Sequence, residues 1–433
     1  MFRELSAPVT LQWEVTPWCN MSCLHCYNHW RRDSEKRKRA GPETIKLYQK
    51  TTSEILSNGV FAVTVTGGEP LGILDDLSPF LKQLTEAGVE LLLNSNLTLL
   101  TQKTARKLKE LGIRSVLTSL PAGDPTLNDE ITQKKGAHAR TTRGIRIALE
   151  NGIRPMVNMV VSKMNLPQIF ATADYTKSLG VRSFAATRVS VPINCPDFSP
   201  YALSLTEFRF MLNELMKVKE QLGMKVDSLE FYSPCSFDNE QTRVLLSSRT
   251  CTAGKTNCTI GFDGQVRPCS RAPQTYGSIH DGLANAWKAM KPWRSGEWIP
   301  KECGNCKQKN KCMGGCKVDA YRATGCLFEL DPYCDPSWFP IKRNVGKAQP
   351  LPKTDNLSFT SKLRVRREDF GGIFFSSSSH WTPVNHRLLE LALNKKGDIV
   401  TIEEMATALG VSAEDARRTA SFLLSKSILR ERR

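Results

Sequence analysis

Between residue 11 and about residue 200 the chain repeats one pattern: a short apolar run rich in Val, Leu and Thr, then a longer amphipathic run. The spacing predicts strands at Leu11–Val15, Phe61–Thr66, Val89–Asn94, Ser115–Ser119, Pro155–Val161 and Ser183–Arg188. Between them it predicts helices over Pro42–Asn58, Leu77–Ala87, Gln102–Leu111, Arg140–Asn151 and Pro167–Leu179. Strands that alternate with helices pair in parallel, so the fold class is α/β, a parallel sheet under an outer helical layer. In βα barrels ligands meet the C-terminal ends of the strands, and the chemistry-bearing residues of this chain fall there.

The first strand runs into Trp18-Cys19-Asn20-Met21-Ser22-Cys23-Leu24-His25-Cys26-Tyr27, a C-x3-C-x2-C spacing. Three thiolates so close suit one soft metal centre. A 4Fe–4S cube held by three cysteines keeps one iron open for a ligand, whereas zinc asks for a fourth protein ligand and favours other spacings. The second strand runs into Gly67-Gly68-Glu69-Pro70. Glycines let a backbone approach a ligand closely, and a carboxylate accepts charge-assisted bonds from an ammonium. Asn94-Ser95-Asn96 follows the third strand, Ser119 ends the fourth and Arg188 the sixth. Singly, each polar residue is as much at home in a turn or a helix cap.

With 433 residues, 40% of them hydrophobic, the chain has room for two or three domains. No apolar run approaches the roughly 20 residues that span a membrane, and the first residues lack a signal-peptide pattern. A cytoplasmic protein with no membrane partner is expected. In a reducing compartment, 14 cysteines point to metal rather than disulfides. The +17 charge admits nucleic acid, acidic peptide or an anionic surface as partner. Its densest run, residues 31–39, reads as a solvated loop or as a basic rim, and lacks the interleaved aromatics of single-strand nucleic-acid platforms.

The triplet with Tyr27 behind it, and the Gly-Gly-Glu-Pro about forty residues on, resemble the radical S-adenosylmethionine (SAM) enzymes. The resemblance implies a partial (β/α)6 barrel with a SAM-binding 4Fe–4S cluster on Cys19, Cys23 and Cys26. It also implies SAM contacts from Gly67, Gly68 and Glu69 to the amino group, Asn96 near the ribose, Ser119, and Arg188 near the carboxylate, with Tyr27 beside the cluster. Two departures stand out: Leu120-Pro121-Ala122 lacks the aspartate that the family places after its serine, and Ile131-Thr132 occupies the place of a frequent arginine.

From residue 251 cysteines crowd together. Gly264-x4-Cys269, then Cys303-x2-Cys306-x5-Cys312-x3-Cys316, resembles the SPASM extension of that family, although four-cysteine sites taken alone also suit zinc. The resemblance implies two auxiliary 4Fe–4S clusters, one on Cys251, Cys258, Cys269 and Cys316, the other on Cys303, Cys306, Cys312 and Cys334. Fully thiolate-held clusters serve electron transfer. Residues 260–267 read as a hairpin with an Asp263-Gly264 turn, placing Cys258 and Cys269 on adjacent strands. Cys195, Cys235 and Cys326 are left over, and a lone cysteine is most often buried filler. Cys195, just past the sixth strand, is singled out as a catalytic residue that gives or takes a hydrogen atom.

Residues 201–250 form a bridge with a helix over Leu205–Leu222 capped by Ser204 or Thr206, and a linker follows at 346–356. The tail reads as a winged helix: strands Leu363–Arg367, Gly372–Ser376 and His380–Val384, then helices Asn385–Asn394, Thr401–Leu409 and Ala413–Ser425. Residues 363–375 resemble the start of the recognition element that binds leader peptides of ribosomally synthesised, modified peptides (RiPPs). A DNA-binding helix-turn-helix is the rival, but Glu414 and Asp415 ahead of Arg417 and Arg418 are unfavourable beside phosphates. The domains expected are a barrel at 1–200, the bridge at 201–250, the auxiliary-cluster domain at 251–345 and the recognition element at 357–433. Together the resemblances imply a peptide maturase that abstracts a hydrogen atom and installs a thioether or carbon–carbon crosslink. Its partners would be a precursor peptide, with its leader on 357–433, and a flavodoxin or ferredoxin. The rivals are a radical SAM enzyme on a tetrapyrrole-like small molecule, a formylglycine-forming sulfatase maturase, and a redox-sensing DNA-binding protein.

Overall fold

The computed structural model describes residues 4–28, 40–191, 196–246, 249–335 and 350–432. The chain forms two compact units, residues 1–340 and 341–433. Residues 31–39, expected as a basic rim, and Cys195 lie outside the described residues.

The first unit alternates β1 (Thr10–Glu14), α1 (Pro42–Ser57), β2 (Ala62–Thr66), α2 (Leu74–Glu86), β3 (Glu90–Asn94), α3 (Gln102–Glu110), β4 (Ser115–Ser119), α4 (Pro125–Thr132), α5 (Ala137–Glu150), β5 (Arg154–Val161), α6 (Ile169–Ser178) and β6 (Ser183–Arg188). The six expected strands stand within a residue or two of their predicted bounds. The helix α4 was not anticipated: Asp124 caps it by accepting from Leu127 N at 2.8 Å, and Pro125 opens it, a start signal read instead as loop.

Period-two patterning sorts the strand residues. Val63, Val65, Leu91 and Leu93 are buried, while Gln12, Thr64, Asn94 and Asn158 reach the central cavity. The register stacks the polar positions, Gln12 beside Thr64 and Ser119 beside Asn158. The interior is therefore a polar chamber walled by an apolar shell.

Six strands do not complete the sheet. After α7 (Leu205–Leu222), with its Ser204–Glu207 capping box, β7 (Lys225–Asp227) pairs in parallel with β6. A short helix, α8 (Glu240–Leu246), precedes β8 (Asn257–Ile260), which pairs in parallel with β1 at the other edge and turns back antiparallel as β9 (Val266–Arg267). The order is β7-β6-β5-β4-β3-β2-β1-β8-β9. The cysteine-rich stretch thus begins as a strand of the main sheet, which makes one compact unit of the segments read as barrel, bridge and auxiliary domain. A buried ion pair, Glu14 with Arg267, fastens β1 to β9. Cys269 lies two residues beyond β9 rather than on the strand, because the sheet ends at Arg267. Short helices α9 (Leu283–Ala289), α10 (Pro292–Ser295), α11 (Lys309–Cys312) and α12 (Lys317–Thr324) finish the unit.

The second unit has β10 (Asn356–Phe359), β11 (Arg364–Glu368), β12 (Gly371–Ser377), β13 (His380–Val384), α13 (His386–Asn394), β14 (Val400–Thr401), α14 (Ile402–Leu409), α15 (Ala413–Ser425) and β15 (Leu429–Glu431). The sheet β11-β12-β13 is antiparallel throughout; β14, β10 and β15 form a second, smaller sheet that the sequence did not announce. Phe374, Leu389, Met405 and Ala420, all fully buried, sit in a core of its own.

Candidate active site

The loop after β1 carries the cysteine triplet and is held from three sides. Ser22 and Leu24 donate backbone N–H groups to the carbonyls of Thr132 and Ile131, the residues standing where an arginine was expected. Glu69 N donates to Trp18 O at 2.7 Å and Gly68 N to Thr16 O at 2.8 Å. The Gly-Gly pair owes its glycines to this contact: a Cβ on Gly68 would lie 1.9 Å from Trp18 O, and Gly67, at φ +130°, would bring one 2.7 Å from Thr16 O. The backbone that these glycines admit is the cysteine loop itself.

A cavity of about 560 Å³ opens there, lined by Cys19, Cys23, Cys26, Tyr27, Gly67, Gly68, Asn96, Ser119 and Arg188. Of the expected SAM contacts, Glu69 alone is not among the lining residues. It is wholly buried and accepts from Leu71 N (3.0 Å), Ser95 Oγ (2.7 Å) and Asn96 N (2.8 Å), and burial pushes its carboxyl up to about 7. Its work is one step back, gripping the Asn94–Asn96 turn. Asn96 in turn donates to Asn20 Oδ1 at 2.9 Å and stands 3.9 Å from Cys19 Sγ. Tyr27 is pushed up to about 12 by burial, with Glu14 and Cys26 adding to the shift.

Arg188 departs from expectation more strongly. Its guanidinium pairs with Asp319 at 2.6 Å and with Glu230 at 3.9 Å, and it lies over the Tyr333 ring at 3.6 Å. Asp319 also faces Arg271, which reaches Glu230 at 3.0 Å and donates to Cys316 Sγ at 3.1 Å. Burial alone would raise the Asp319 carboxyl, but Arg188 and Arg271 hold it well below the ordinary carboxylate range. Arg188 therefore faces protein carboxylates first. No sequence motif announced this network; its members lie up to 131 residues apart.

The cavity also meets Cys251, Cys269 and Cys316. Cys258, assigned with them from the resemblance, stands apart: it is fully buried in β8, and burial is the sole influence on its thiol, pushing it up to about 12. A second group gathers Cys303, Cys306, Cys312 and Cys334 around Ser233, whose hydroxyl accepts from Cys312 and Cys334. Cys235, set aside as filler, joins it.

The donors suit the implied cofactors. Among the described residues no three donors converge on a single ion, and the cysteines of a 4Fe–4S cube bind separate irons and so stand apart. Gln12 Oε1 is buried without a partner at the cavity wall, an acceptor left for a ligand.

Residues 13–174 match the radical SAM superfamily model. An AdoMet-dependent heme synthase of Methanosarcina barkeri is 27% identical over 350 residues, covering 77% of this chain and 98% of that protein. A PqqA peptide cyclase of Bradyrhizobium diazoefficiens is 24% identical over 356 residues, covering 78% of this chain and 89% of that protein. Among solved structures, Streptococcus suis SuiB bound to its precursor peptide SuiA shares the fold at a TM-score of 0.58 and 19% identity, over 76% of this chain and 75% of that one. Among the described residues no helix is long and apolar enough to cross a membrane.

Proposed function

We propose, from a chain that carries a radical SAM domain, that this protein is a maturase of a ribosomally made peptide. The domain takes SAM and a 4Fe–4S cluster, which supply hydrogen-atom abstraction when bound. The residues on the page do the rest. Cys19, Cys23 and Cys26 would hold the cluster, and Gly67, Gly68, Asn96 and Ser119 would line the cofactor's bed. The apolar shell behind Gln12, Thr64 and Asn158 keeps water out, so that a reactive intermediate meets its target first. The thiol groups at Cys251–Cys334 would hold auxiliary clusters that carry away the second electron of a net oxidation, giving a crosslink.

The observation that carries the peptide reading is the second unit. The heme synthase relative is matched almost end to end by 77% of this chain, and a separate unit of residues 341–433 remains outside the matched family model. Its antiparallel sheet ends in β11, whose Arg364, Arg366 and Arg367 give a basic edge. An extended acidic leader could add to such an edge as a further strand, raising the concentration of the core peptide at the cavity. The printed names of two relatives, PqqA peptide cyclase and SuiB with SuiA, support peptide chemistry.

A second reading has its own support: three heme synthases match over at least 75% of the chain, and Arg249, Arg271 and Lys317 give the cavity cations that suit a substrate bearing carboxylates. Co-expression with a short acidic-leader peptide encoded beside the gene separates the two. The full chain should remove the mass of two hydrogens from that peptide; a chain ending at residue 349, or one with Cys19, Cys23 and Cys26 replaced by Ala, should not. An unchanged peptide, together with an iron porphyrin that loses carboxylates, would install the second reading.

A further inference from the structure

The turn at Pro234–Ser236 lies between the sheet and the cysteine-rich stretch, and its sequence gives Cys235 no motif. The fold nevertheless delivers this thiol to the second cysteine group. Cys235 is in hydrogen-bond contact with Cys334 and accepts the backbone N–H of Asp335. It is also within electrostatic reach of Cys303 and Cys312. The placement is built rather than incidental. Ser236 Oγ donates to Tyr333 O at 2.6 Å, and Arg209 Nε donates to Ser236 O at 3.1 Å. Buried Ser233, beside the turn, accepts from Cys312 Sγ at 3.4 Å and from Cys334 Sγ at 3.0 Å. The turn is thus tied to α7 on one side and to the residue preceding Cys334 on the other.

Counted with Cys303, Cys306, Cys312 and Cys334, Cys235 makes five thiols for a centre with four ligand places. Cysteines on one cube bind different irons and stand apart. Two thiols in hydrogen-bond contact therefore cannot fill two places, but they can serve one. We propose that Cys235 and Cys334 are interchangeable ligands of a single iron in the second auxiliary cluster. One binds as thiolate; the other stays protonated and donates its S–H to the bound sulfur. Exchange passes that proton to the departing thiolate and moves no electron. The cluster would then survive the loss of either thiol. This rests on the reading that the group holds a 4Fe–4S cluster.

The test is anaerobic reconstitution of the full chain, with iron, sulfide and zinc content and Mössbauer spectra as readouts. The variants are Cys235→Ala, Cys334→Ala, the double variant, and Cys303→Ala/Cys306→Ala as control. Each single variant should keep its iron. The double variant and the control should each lose about four of about twelve irons. Retention of the other eight shows that the chain has folded. If Cys334→Ala alone loses four irons and Cys235→Ala none, or the reverse, one thiol is a bystander and the proposal fails. If the control loses no iron, the cluster reading falls and the proposal with it, a failure visible in the control alone.

Discussion

Replacing Gly68 with alanine would set a methyl carbon 1.9 Å from Trp18 O and 2.4 Å from Trp18 C. Ordinary contact begins at 3.4 Å, so the two backbones must part by about 1.5 Å. No rotamer can relieve the clash, because both partners are main chain. The movement pulls on two hydrogen bonds, Gly68 N to Thr16 O and Glu69 N to Trp18 O. Overpacking costs about 1–3 kcal/mol and each strained bond about 1 kcal/mol, so a loss of roughly 3–5 kcal/mol is expected. Trp18 adjoins Cys19, so the displacement reaches the cluster ligands. A misplacement of about 1 Å can cost about 100-fold in rate. Gly68→Ala should therefore cut reductive SAM cleavage by about 100-fold or more. The assay is single-turnover cleavage with dithionite, beside a denaturation curve. Gly41→Ala, with nothing within 4 Å of the new carbon, is the control and should stay within about 1 kcal/mol of wild type. A Gly68→Ala protein with wild-type cleavage and an unmoved melting curve would refute the claim that the glycines seat the cysteine loop.

Asp319→Asn removes the carboxylate that meets Arg188 and Arg271 and should cost about 3–5 kcal/mol at neutral pH, read by urea unfolding. Because the Asp319 carboxyl is held low in the fold, its contribution is present above the ordinary value of 3.8 and fades as pH falls through the folded value. The acid limb of the wild-type stability profile should therefore flatten in Asp319→Asn. Arg271→Met should leave Glu230 short of a partner, at a similar cost, and should lower the reduction potential of the cluster bearing Cys316 by removing its cationic donor, read by redox titration. Phe374→Ala should cost about 3–5 kcal/mol in the second unit, seen as an earlier transition in calorimetry, with iron content unchanged.

The sequence made the βα order legible because each strand and helix carries its own period, and bounds such as Ser115–Ser119 and Ser183–Arg188 follow from that local signal. The triplet was legible because its ligands are adjacent in sequence. What escaped was pairing at long range. Parallel pairing of β8 with β1 joins residues 247 apart, and no periodicity states a partner. The same holds for Arg188 with Asp319, for Glu69 turned to the Asn94–Asn96 turn, and for Cys235. The cue that β8 belongs to the main sheet was present in Cys258-Thr259-Ile260, a short β-branched run, but a run of four cannot say which edge it joins.

The seat of β1 between β2 and β8 carries a consequence for synthesis. The strand's second partner leaves the ribosome about 243 residues after Glu14. At roughly 5–20 residues per second, the β8-facing side of β1 waits about 12–50 s for its neighbour. Throughout that interval an unpaired edge and the three thiols beyond it face the cell together, open to other chains and to oxidants. Late closure by β8 and the Glu14–Arg267 pair makes the nascent chain's most vulnerable moment coincide with the interval in which the metal ligands are still accessible.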